Sequence, residues 1–240
     1  MKYFFKDNKK PDLCLVFCGW GTDERLYLPL LKDFDYLLLF DYDKEMDFEM
    51  PFSPDKYENI YLLSYSAGGG AAAIVKEKLP PIKKSVAINA SVKLIGKYGL
   101  SGQVLSAIKN LNLNNYIAFR RKYMVTSDEE LELFCKNQPL RSFESCFAEL
   151  DAIEYLAEKY KDATYDFDKV FVAKDDPLLP ISQQKEYFGD KIIKIEGSHF
   201  PFYRYNSFIE FFNDWQHNEN LREYTYDTKI RWERISTFIK

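Results

Sequence analysis

The feature of this chain that most constrains its fold is a serine at the apex of a predicted strand, turn and helix, in the segment Ser64-Tyr65-Ser66-Ala67-Gly68. An apolar run at residues 59–63 precedes the segment, and a run rich in glycine and alanine at residues 69–75 follows it. A serine at such an apex has a strained backbone that projects its Oγ above the end of the strand. The residues two before and two after it crowd each other, and both are small here. The segment therefore predicts a sheet with a serine exposed at the carboxyl end of one strand.

This pattern is typical of the turn that carries the nucleophile of serine hydrolases, G-x-S-x-G, with Ser64 in place of the first glycine. An ordinary tight turn between a strand and a helix is the other interpretation, because short matches of this kind are common. A phosphate-binding loop is a weaker interpretation, since the chain has no G-x-G-x-x-G or G-K-[ST] segment. If Ser66 is a nucleophile, the rest of the chain must supply a base, an acid and two donors for an oxyanion.

The composition narrows the class of protein. A chain of 240 residues, 46% of them hydrophobic, suffices for one sizeable α/β domain or a domain with an insertion. The formal net charge of −4 argues against a general affinity for nucleic acid. The four cysteines include no C-x-x-C pair and there are only two histidines, so we expect no metal or other cofactor. The N-terminus becomes polar too early for a signal peptide, and no segment suggests a membrane span, so we expect a cytoplasmic protein.

Short strand-like runs alternate with helical runs in the first part of the chain. Such alternation predicts a mostly parallel central sheet flanked by helices on both faces, as in the α/β-hydrolase fold. We assign residues 1–93 and 165–215 to this core. Residues 94–164 have a helical pattern, and a helical insertion at this point would form a cap over the strand ends, where open parallel sheets bind ligands. Residues 216–240 form a polar tail, for which a solvated terminal helix is one interpretation.

Individual elements can be placed from the same pattern. The strands are expected at residues 2–5, 13–17, 36–40, 59–63, 85–89, 169–173 and 191–195. The helices are expected at residues 24–31, 69–78, 102–111, 116–123, 128–135, 143–160 and 206–215. Ser127, which is followed by three acidic residues, is a favourable start for one of the helices in the insertion.

His199 is the candidate base, because a serine hydroxyl is a poor nucleophile at neutral pH and needs an adjacent base. It follows the predicted strand at residues 191–195, so it lies on a loop at the carboxyl end of that strand. A loop histidine that is satisfied by backbone groups is the alternative interpretation. The second histidine, His217, lies in a charged stretch near the C-terminus and is interpreted as a surface residue.

The acid is expected at the end of the preceding strand, in the chain order serine, acid, histidine. Two neighbouring aspartates follow the predicted strand at residues 169–173. Asp176 fits the segment G-x-x-D-x-x-x-P that hydrolases often have here, with Ala173 in the glycine position and Pro180 in the proline position. Asp175 stays the alternative, and whichever aspartate is not the acid is expected to make a turn or cap contact.

An oxyanion hole needs two backbone N–H groups directed at the developing charge. Ala67, the residue after the candidate nucleophile, is expected to supply one of them. The other is expected from the loop Cys18-Gly19-Trp20-Gly21, whose glycines permit unusual backbone angles, and the Trp20 amide is the chosen donor. A simple turn with a packed tryptophan is the alternative interpretation of this loop.

Taken together, these segments resemble the BioG-type pimeloyl-ACP methyl ester esterases of the α/β-hydrolase superfamily. The resemblance spans roughly residues 1–215, and the segments that carry it are Phe17-Cys18-Gly19-Trp20-Gly21, Ser64-Tyr65-Ser66-Ala67-Gly68, Phe119-Arg120-Arg121 and Ile195-Glu196-Gly197-Ser198-His199-Phe200. The serine and histidine segments are general to the superfamily, whereas the G-W-G loop together with the arginine pair is more specific. The doubled Asp175-Asp176 matches the family less cleanly, and the tail after His217 has no counterpart.

The resemblance implies that Ser66 is the nucleophile and His199 the base of a serine carboxylesterase. The implied reaction is hydrolysis of pimeloyl-ACP methyl ester to pimeloyl-ACP and methanol in biotin biosynthesis, without a metal or nucleotide. The motifs also fit a hydrolase of another acyl ester or thioester. A non-catalytic binding protein with the α/β-hydrolase fold is the alternative from a different class.

The resemblance further implies an acyl carrier protein as the partner. A carrier protein is acidic, so an enzyme that is itself net negative needs a local group of cations to dock it. Arg120, Arg121 and Lys122 in the insertion, together with Arg141, form the best cluster. Helix spacing cannot place all of them on one face, so two or three are expected to engage. A solvated helix face is the alternative interpretation.

Overall fold

A computed structural model describes residues 1–213, and within them the chain forms a sheet of seven strands in the order β1-β3-β2-β4-β5-β6-β7. The strands are β1 (Lys2–Lys6), β2 (Asp12–Phe17), β3 (Asp35–Phe40), β4 (Asn59–Tyr65), β5 (Lys84–Ile88), β6 (Lys169–Ala173) and β7 (Ile192–Ile195). Only the edge strand β1 runs antiparallel to its neighbour, and the other pairs are parallel. The prediction of a mostly parallel sheet is confirmed.

The central strands are buried on both faces, which explains their nearly continuous apolar sequences. In β2, Leu13, Leu15 and Phe17 pack into one hydrophobic cluster, whereas Cys14 and Val16 pack into another on the opposite face. Successive side chains of a strand point to opposite faces, so the two clusters are the two layers that helices and turns place on the sheet. The core therefore holds the carboxyl ends of β2, β4, β5, β6 and β7 rigidly at one edge.

Six α-helices occur in the described residues. They are α1 (Gly68–Ile74), α2 (Gly102–Lys109), α3 (Leu113–Met124), α4 (Asp128–Lys136), α5 (Phe143–Lys159) and α6 (Ile181–Phe188). The helices α2 to α5 all lie between β5 and β6 in the chain, within the segment proposed as a cap. The start of α4 is as expected, because the Ser127 hydroxyl accepts from the Glu130 amide while the Glu130 carboxylate reaches back to the Ser127 amide.

Some predicted helices differ from the observed structure. Residues 24–31 form two 3-10 turns, at Glu24–Leu26 and Leu28–Leu30, because Pro29 has no amide hydrogen to continue an α-helix. The helix expected at 206–215 is only a 3-10 turn at Phe208–Phe211 in the described part of the chain. The helix α6 was not expected. The proposed tail at residues 216–240 and His217 lie outside the described residues.

The helix α1 approaches the sheet so closely that its first residue must be glycine. A Cβ atom added to Gly68 would lie 2.0 Å from the carbonyl oxygen of Phe17 and 2.9 Å from that of Cys18. Neither carbonyl belongs to a flexible side chain, so the clash could be relieved only by moving the helix or β2. This close approach sets the position of the turn that precedes α1.

We predict that Gly68→Ala lowers the free energy of unfolding by about 3 kcal/mol or more, because the methyl group would overlap backbone atoms. Gly102→Ala is the matched control, since its added Cβ meets nothing within 4 Å at the start of α2. That substitution should be neutral or stabilising by about 0.5 kcal/mol. Denaturant unfolding measures both changes, and equal stability of the two variants would contradict the close packing of α1.

Candidate active site

Ser66 lies in the turn between β4 and α1 with a left-handed backbone, φ 54°. A residue other than glycine that is held in this region stores about 1–3 kcal/mol of strain. Hydrogen bonds restrain it from both sides, because its amide donates to the Asn89 carbonyl at 3.1 Å and its carbonyl accepts from the Ser91 amide at 3.2 Å. The structure thus contains the strained serine turn that the sequence predicts.

The side chains of Ser66, His199 and Asp176 form one line of hydrogen bonds. His199 Nε2 lies 2.9 Å from Ser66 Oγ, and its Nδ1 lies 2.9 Å from Asp176 Oδ2. With a proton on Nδ1, the imidazole donates to the carboxylate and leaves Nε2 free to accept the hydroxyl proton. His199 is 3% exposed and Asp176 is 6% exposed, so bulk water competes little with these bonds. The arrangement can therefore abstract a proton from Ser66.

The structure distinguishes between the two neighbouring aspartates. Besides its bond to His199, the Asp176 carboxylate accepts from the amides of Leu178 and Leu179, at 2.8 and 3.1 Å. These bonds orient it towards the imidazole. Asp175 is exposed, and its backbone rather than its side chain makes the local contacts. Its amide N–H donates a hydrogen bond to the Gly197 carbonyl. Asp176 is thus the aspartate that the fold brings to the histidine.

Asn89 joins the three segments that carry these side chains, and the sequence reasoning placed it only at the end of a strand. It is fully buried, and its side-chain amide donates to the carbonyls of Ser198 and His199 at 2.8 and 2.9 Å. Its side-chain oxygen accepts from the Ala173 amide, and its own carbonyl accepts from the Ser66 amide. An asparagine directly after an apolar strand, at the edge where ligands bind, is the signal that could have found it.

The loop after β2, residues 18–22, leaves the Trp20 amide without an acceptor in the described structure. Each of the other amides in this loop has an acceptor. The Cys18 N–H donates to the Leu39 carbonyl and the Gly19 N–H to the Tyr27 hydroxyl, while the Gly21 N–H donates to Glu149 Oε2 and the Thr22 N–H to the Gly19 carbonyl. The Gly19 carbonyl also accepts from the Thr22 hydroxyl, and because a trans peptide directs N–H opposite to C=O, this fixes the direction of the Trp20 N–H. Ala67 also has an amide with no acceptor among the described residues. Both amides are available as donors to an oxyanion.

A largely apolar pocket lies in front of Ser66. Its walls come from the turn, from α2 and α5, and from the loops after β5 and β6. The apolar lining includes Leu94, Leu100, Ile108, Leu150, Ile153 and Leu179. The side chain of Trp20 forms a further wall, held by an indole N–H that donates to the Cys146 carbonyl at 2.5 Å. Such a lining suits an alkyl chain and provides few partners for polar groups.

Arg141 does not belong to an exposed cluster of cations, which corrects the expectation from the sequence. Its side chain is 8% exposed and forms ion pairs with Glu149, at 2.6 Å, and with Asp41. A docking partner cannot reach a guanidinium that two carboxylates already bind in the interior. Its partner Glu149 was missed, although a glutamate on the apolar stripe of α5, between Cys146 and Ile153, is a signal that could have found it.

The two neighbouring arginines of α3 face different surroundings. The Arg120 guanidinium lies 5.5 Å from the ring centre of Tyr116 and 5.6 Å from that of Phe134, so it is turned inward between α3 and α4. One of its nitrogen atoms is buried without a hydrogen-bond partner. Arg121 is exposed. Of the cluster predicted for carrier binding, Arg121 is therefore the arginine with a free outward position.

Other reactive groups in the described residues do not extend the site. Within residues 1–213, no group of three His, Cys, Asp or Glu side chains could hold a metal ion, and no helix is both long and apolar enough to cross a bilayer. The cysteines are unpaired, and Cys18 belongs to the loop after β2. Burial raises the pKa of its thiol well above the ordinary value. Such a thiol is a poor nucleophile at neutral pH.

Comparison with known proteins gives a family and several related folds. The family model for the pimeloyl-ACP methyl esterase BioG matches residues 1–211. The crystal structure of BioG from Haemophilus influenzae has a TM-score of 0.77 and 24% identity, and the match covers 89% of this chain and 100% of that one. An esterase from Exiguobacterium antarcticum has a TM-score of 0.58 and 13% identity, with coverage of 82% and 87%.

An enol-lactonase from Burkholderia xenovorans is similar at a TM-score of 0.54 and 13% identity, with coverage of 83% and 89%. No curated protein sequence matches the chain significantly. The structural matches confirm the predicted α/β-hydrolase fold, and the family match extends over most of the sequence. The chain therefore belongs to the BioG family of pimeloyl-ACP methyl esterases and is an enzyme of the α/β-hydrolase type.

Proposed function

We propose that this chain hydrolyses the methyl ester of a pimeloyl chain carried on acyl carrier protein, through an acyl-enzyme on Ser66. The observation that carries the proposal is the line of hydrogen bonds from Ser66 through His199 to Asp176, beside the unbonded amides of Trp20 and Ala67. Membership of the BioG family supports the choice of substrate. The products are pimeloyl-ACP and methanol.

In the acylation step, His199 Nε2 accepts the hydroxyl proton while Ser66 Oγ bonds to the ester carbonyl carbon. Asp176 holds the Nδ1–H and stabilises the imidazolium without taking its proton. The carbonyl oxygen becomes an oxyanion and receives N–H donors from Trp20 and Ala67. When this tetrahedral intermediate collapses, the bond from carbon to the methoxy oxygen breaks, and His199 returns its proton to the leaving group as methanol forms.

In the deacylation step, His199 Nε2 takes a proton from a water molecule that attacks the acyl carbon. The same two amides stabilise the second oxyanion. Collapse then breaks the bond between the acyl carbon and Ser66 Oγ, and the serine oxygen recovers its proton from His199. The chain leaves as a free carboxylate, while its thioester to the carrier at the other end is not involved in the chemistry.

The surroundings of Ser66, His199 and Asp176 support a long acyl substrate that is attached to an acidic carrier. Methylene groups that enter the apolar pocket gain about 0.8 kcal/mol each when they are fully buried. The helix α3 carries three cations and no acidic residue, in a chain whose net charge is −4. Leu113, Ile117 and Arg121 follow each other at four-residue spacing, and all three are exposed. We propose this stripe as the docking surface for the carrier.

Separate substitution of the two aspartates distinguishes their roles. Asp176→Asn should lower kcat/KM for a p-nitrophenyl ester by about 10,000-fold, because the amide no longer holds the imidazole in the required tautomer. Asp175→Asn is the matched control, and it should change kcat/KM by less than about 3-fold because its side chain lies outside the site. Steady-state kinetics measure both values. Equal losses in the two variants would contradict the role proposed for Asp176.

Reversal of the charge at Arg121 tests the proposed contact with the carrier protein. Arg121→Glu should lower kcat/KM for the carrier-linked methyl ester by about 10-fold or more, since it reverses a charge in the proposed contact. It should leave hydrolysis of a small p-nitrophenyl ester unchanged. Lys185→Glu makes the same charge change on the exposed face of α6 and is the control. A parallel loss on both substrates, or an equal loss in the Lys185 variant, would exclude docking at the α3 stripe.

A further inference from the structure

The helix α5 contacts the loop after β2 (residues 18–22, here called the oxyanion loop) through two residues that lie about one helical turn apart. The Cys146 carbonyl accepts from the Trp20 indole N–H, and Glu149 Oε2 accepts from the Gly21 amide at 2.8 Å. Residues three apart lie on the same face of a helix, so both contacts come from the face that is turned towards the core. The same helix supplies Leu150 and Ile153 to the wall of the acyl pocket.

Glu149 is placed as an acceptor for backbone amides of the core. Its side chain is fully buried, and its second oxygen accepts from the Tyr42 amide at 2.9 Å. Burial raises the pKa of its carboxyl, and the guanidinium of Arg141 at 2.6 Å opposes this change. Buried ion pairs seldom stabilise a protein more than apolar residues of the same volume would. The charge therefore calls for an explanation other than stability.

The explanation lies in the backbone of the oxyanion loop. Gly21 has a left-handed backbone, φ 69°, in which its amide points to α5. The peptide unit that carries the Trp20 N–H is held on one side by the bonds from Thr22 to the Gly19 carbonyl. The next peptide unit is held by Glu149. If the Gly21 N–H lost its acceptor, the peptide unit between Trp20 and Gly21 could rotate. The adjoining peptide unit, between Gly19 and Trp20, could then turn its N–H away from Ser66.

We propose that Glu149 is a positioning residue for the oxyanion hole, which holds the Trp20 amide in its catalytic direction by accepting the Gly21 N–H. The inference rests on the proposed function, because it assigns Glu149 a part in stabilising the oxyanion of that reaction. It makes α5 a component of the catalytic machinery as well as a wall of the pocket. A donor placed in this way acts on the transition state more than on the bound ester.

The test compares Glu149→Met with Asp41→Asn in the full-length protein. Methionine has a similar length and volume, but it offers no acceptor to the Gly21 amide or to the Tyr42 amide. Asp41→Asn changes the other carboxylate of the Arg141 network and leaves the Glu149 bonds in place. For a p-nitrophenyl ester, Glu149→Met should lower kcat by about 10- to 100-fold and change KM by less than about 3-fold. Asp41→Asn should leave kcat within about 3-fold of wild type.

A trifluoromethyl ketone provides a second measurement that does not depend on turnover. Ser66 Oγ adds to its carbonyl carbon, His199 takes the hydroxyl proton, and the carbonyl oxygen becomes an oxyanion in the hole. Its inhibition constant should increase in Glu149→Met by the same factor as kcat/KM decreases. A melting temperature for each variant separates loss of fold from loss of positioning.

The proposal is overturned if the folded Glu149→Met protein keeps the wild-type kcat and ketone affinity, or if Asp41→Asn loses as much. Glu149→Asp, which keeps the charge but is too short to reach both amides, should show the same loss of kcat. If neither Glu149 variant folds, the residue is structural and the proposal fails. If the wild-type protein hydrolyses no ester, the proposed function fails first, which distinguishes the two outcomes.

Discussion

The structure depends most on the backbone of one residue, Ser66, which is held at φ 54° where β4 meets α1. Packing and hydrogen bonds from neighbouring segments hold Ser66 in this strained conformation. Gly68 lies against the Phe17 carbonyl on one side, and the Asn89 carbonyl binds the Ser66 amide on the other. These contacts hold Oγ above the end of β4, 2.9 Å from His199 Nε2. A relaxed turn would withdraw the hydroxyl from the histidine.

The other parts of the site are held by links between segments that are distant in the chain. Asn89 connects the serine turn, the end of β6 and the histidine loop, so the three loops keep a common geometry. Glu149 and Arg141 connect α5 to the oxyanion loop and to Asp41. These links are polar and largely buried, and hydrogen-bond networks of this kind make an interior rigid. The site is thus assembled between the sheet and the inserted helices.

Much of this arrangement could be predicted, because part of the information is local. Ser66 and His199 were found since a strand followed by a tight turn or loop is visible in a few consecutive residues. The choice between Asp175 and Asp176 was left open, because neighbouring residues differ only in the direction of their side chains. That direction depends on the amides of Leu178 and Leu179, whose positions follow from the folded loop.

Several predictions failed because they depend on distant contacts. Arg141 seemed available to a partner because its carboxylates come from Asp41 and Glu149, the first of them a hundred residues away. Asn89 carries no motif, and its role exists only once three loops meet. Two other differences have a local cause. Residues 24–31 form two 3-10 turns in place of a helix because of Pro29, and α6 begins directly after Pro180. The hydrophobic periodicity of a helix or strand predicts which of its faces is buried. The residues that pack against that face depend on the complete fold.

The measurement that tests the central claim most directly is methanol release from pimeloyl-ACP methyl ester by the purified protein, alongside its Ser66→Ala variant. We predict that the wild-type protein releases methanol and leaves the thioester to the carrier intact. The variant should lose turnover by a factor on the order of a million, because no other group can form the acyl-enzyme. Cleavage of the thioester in place of the methyl ester, or methanol release that persists in the variant, would contradict the account.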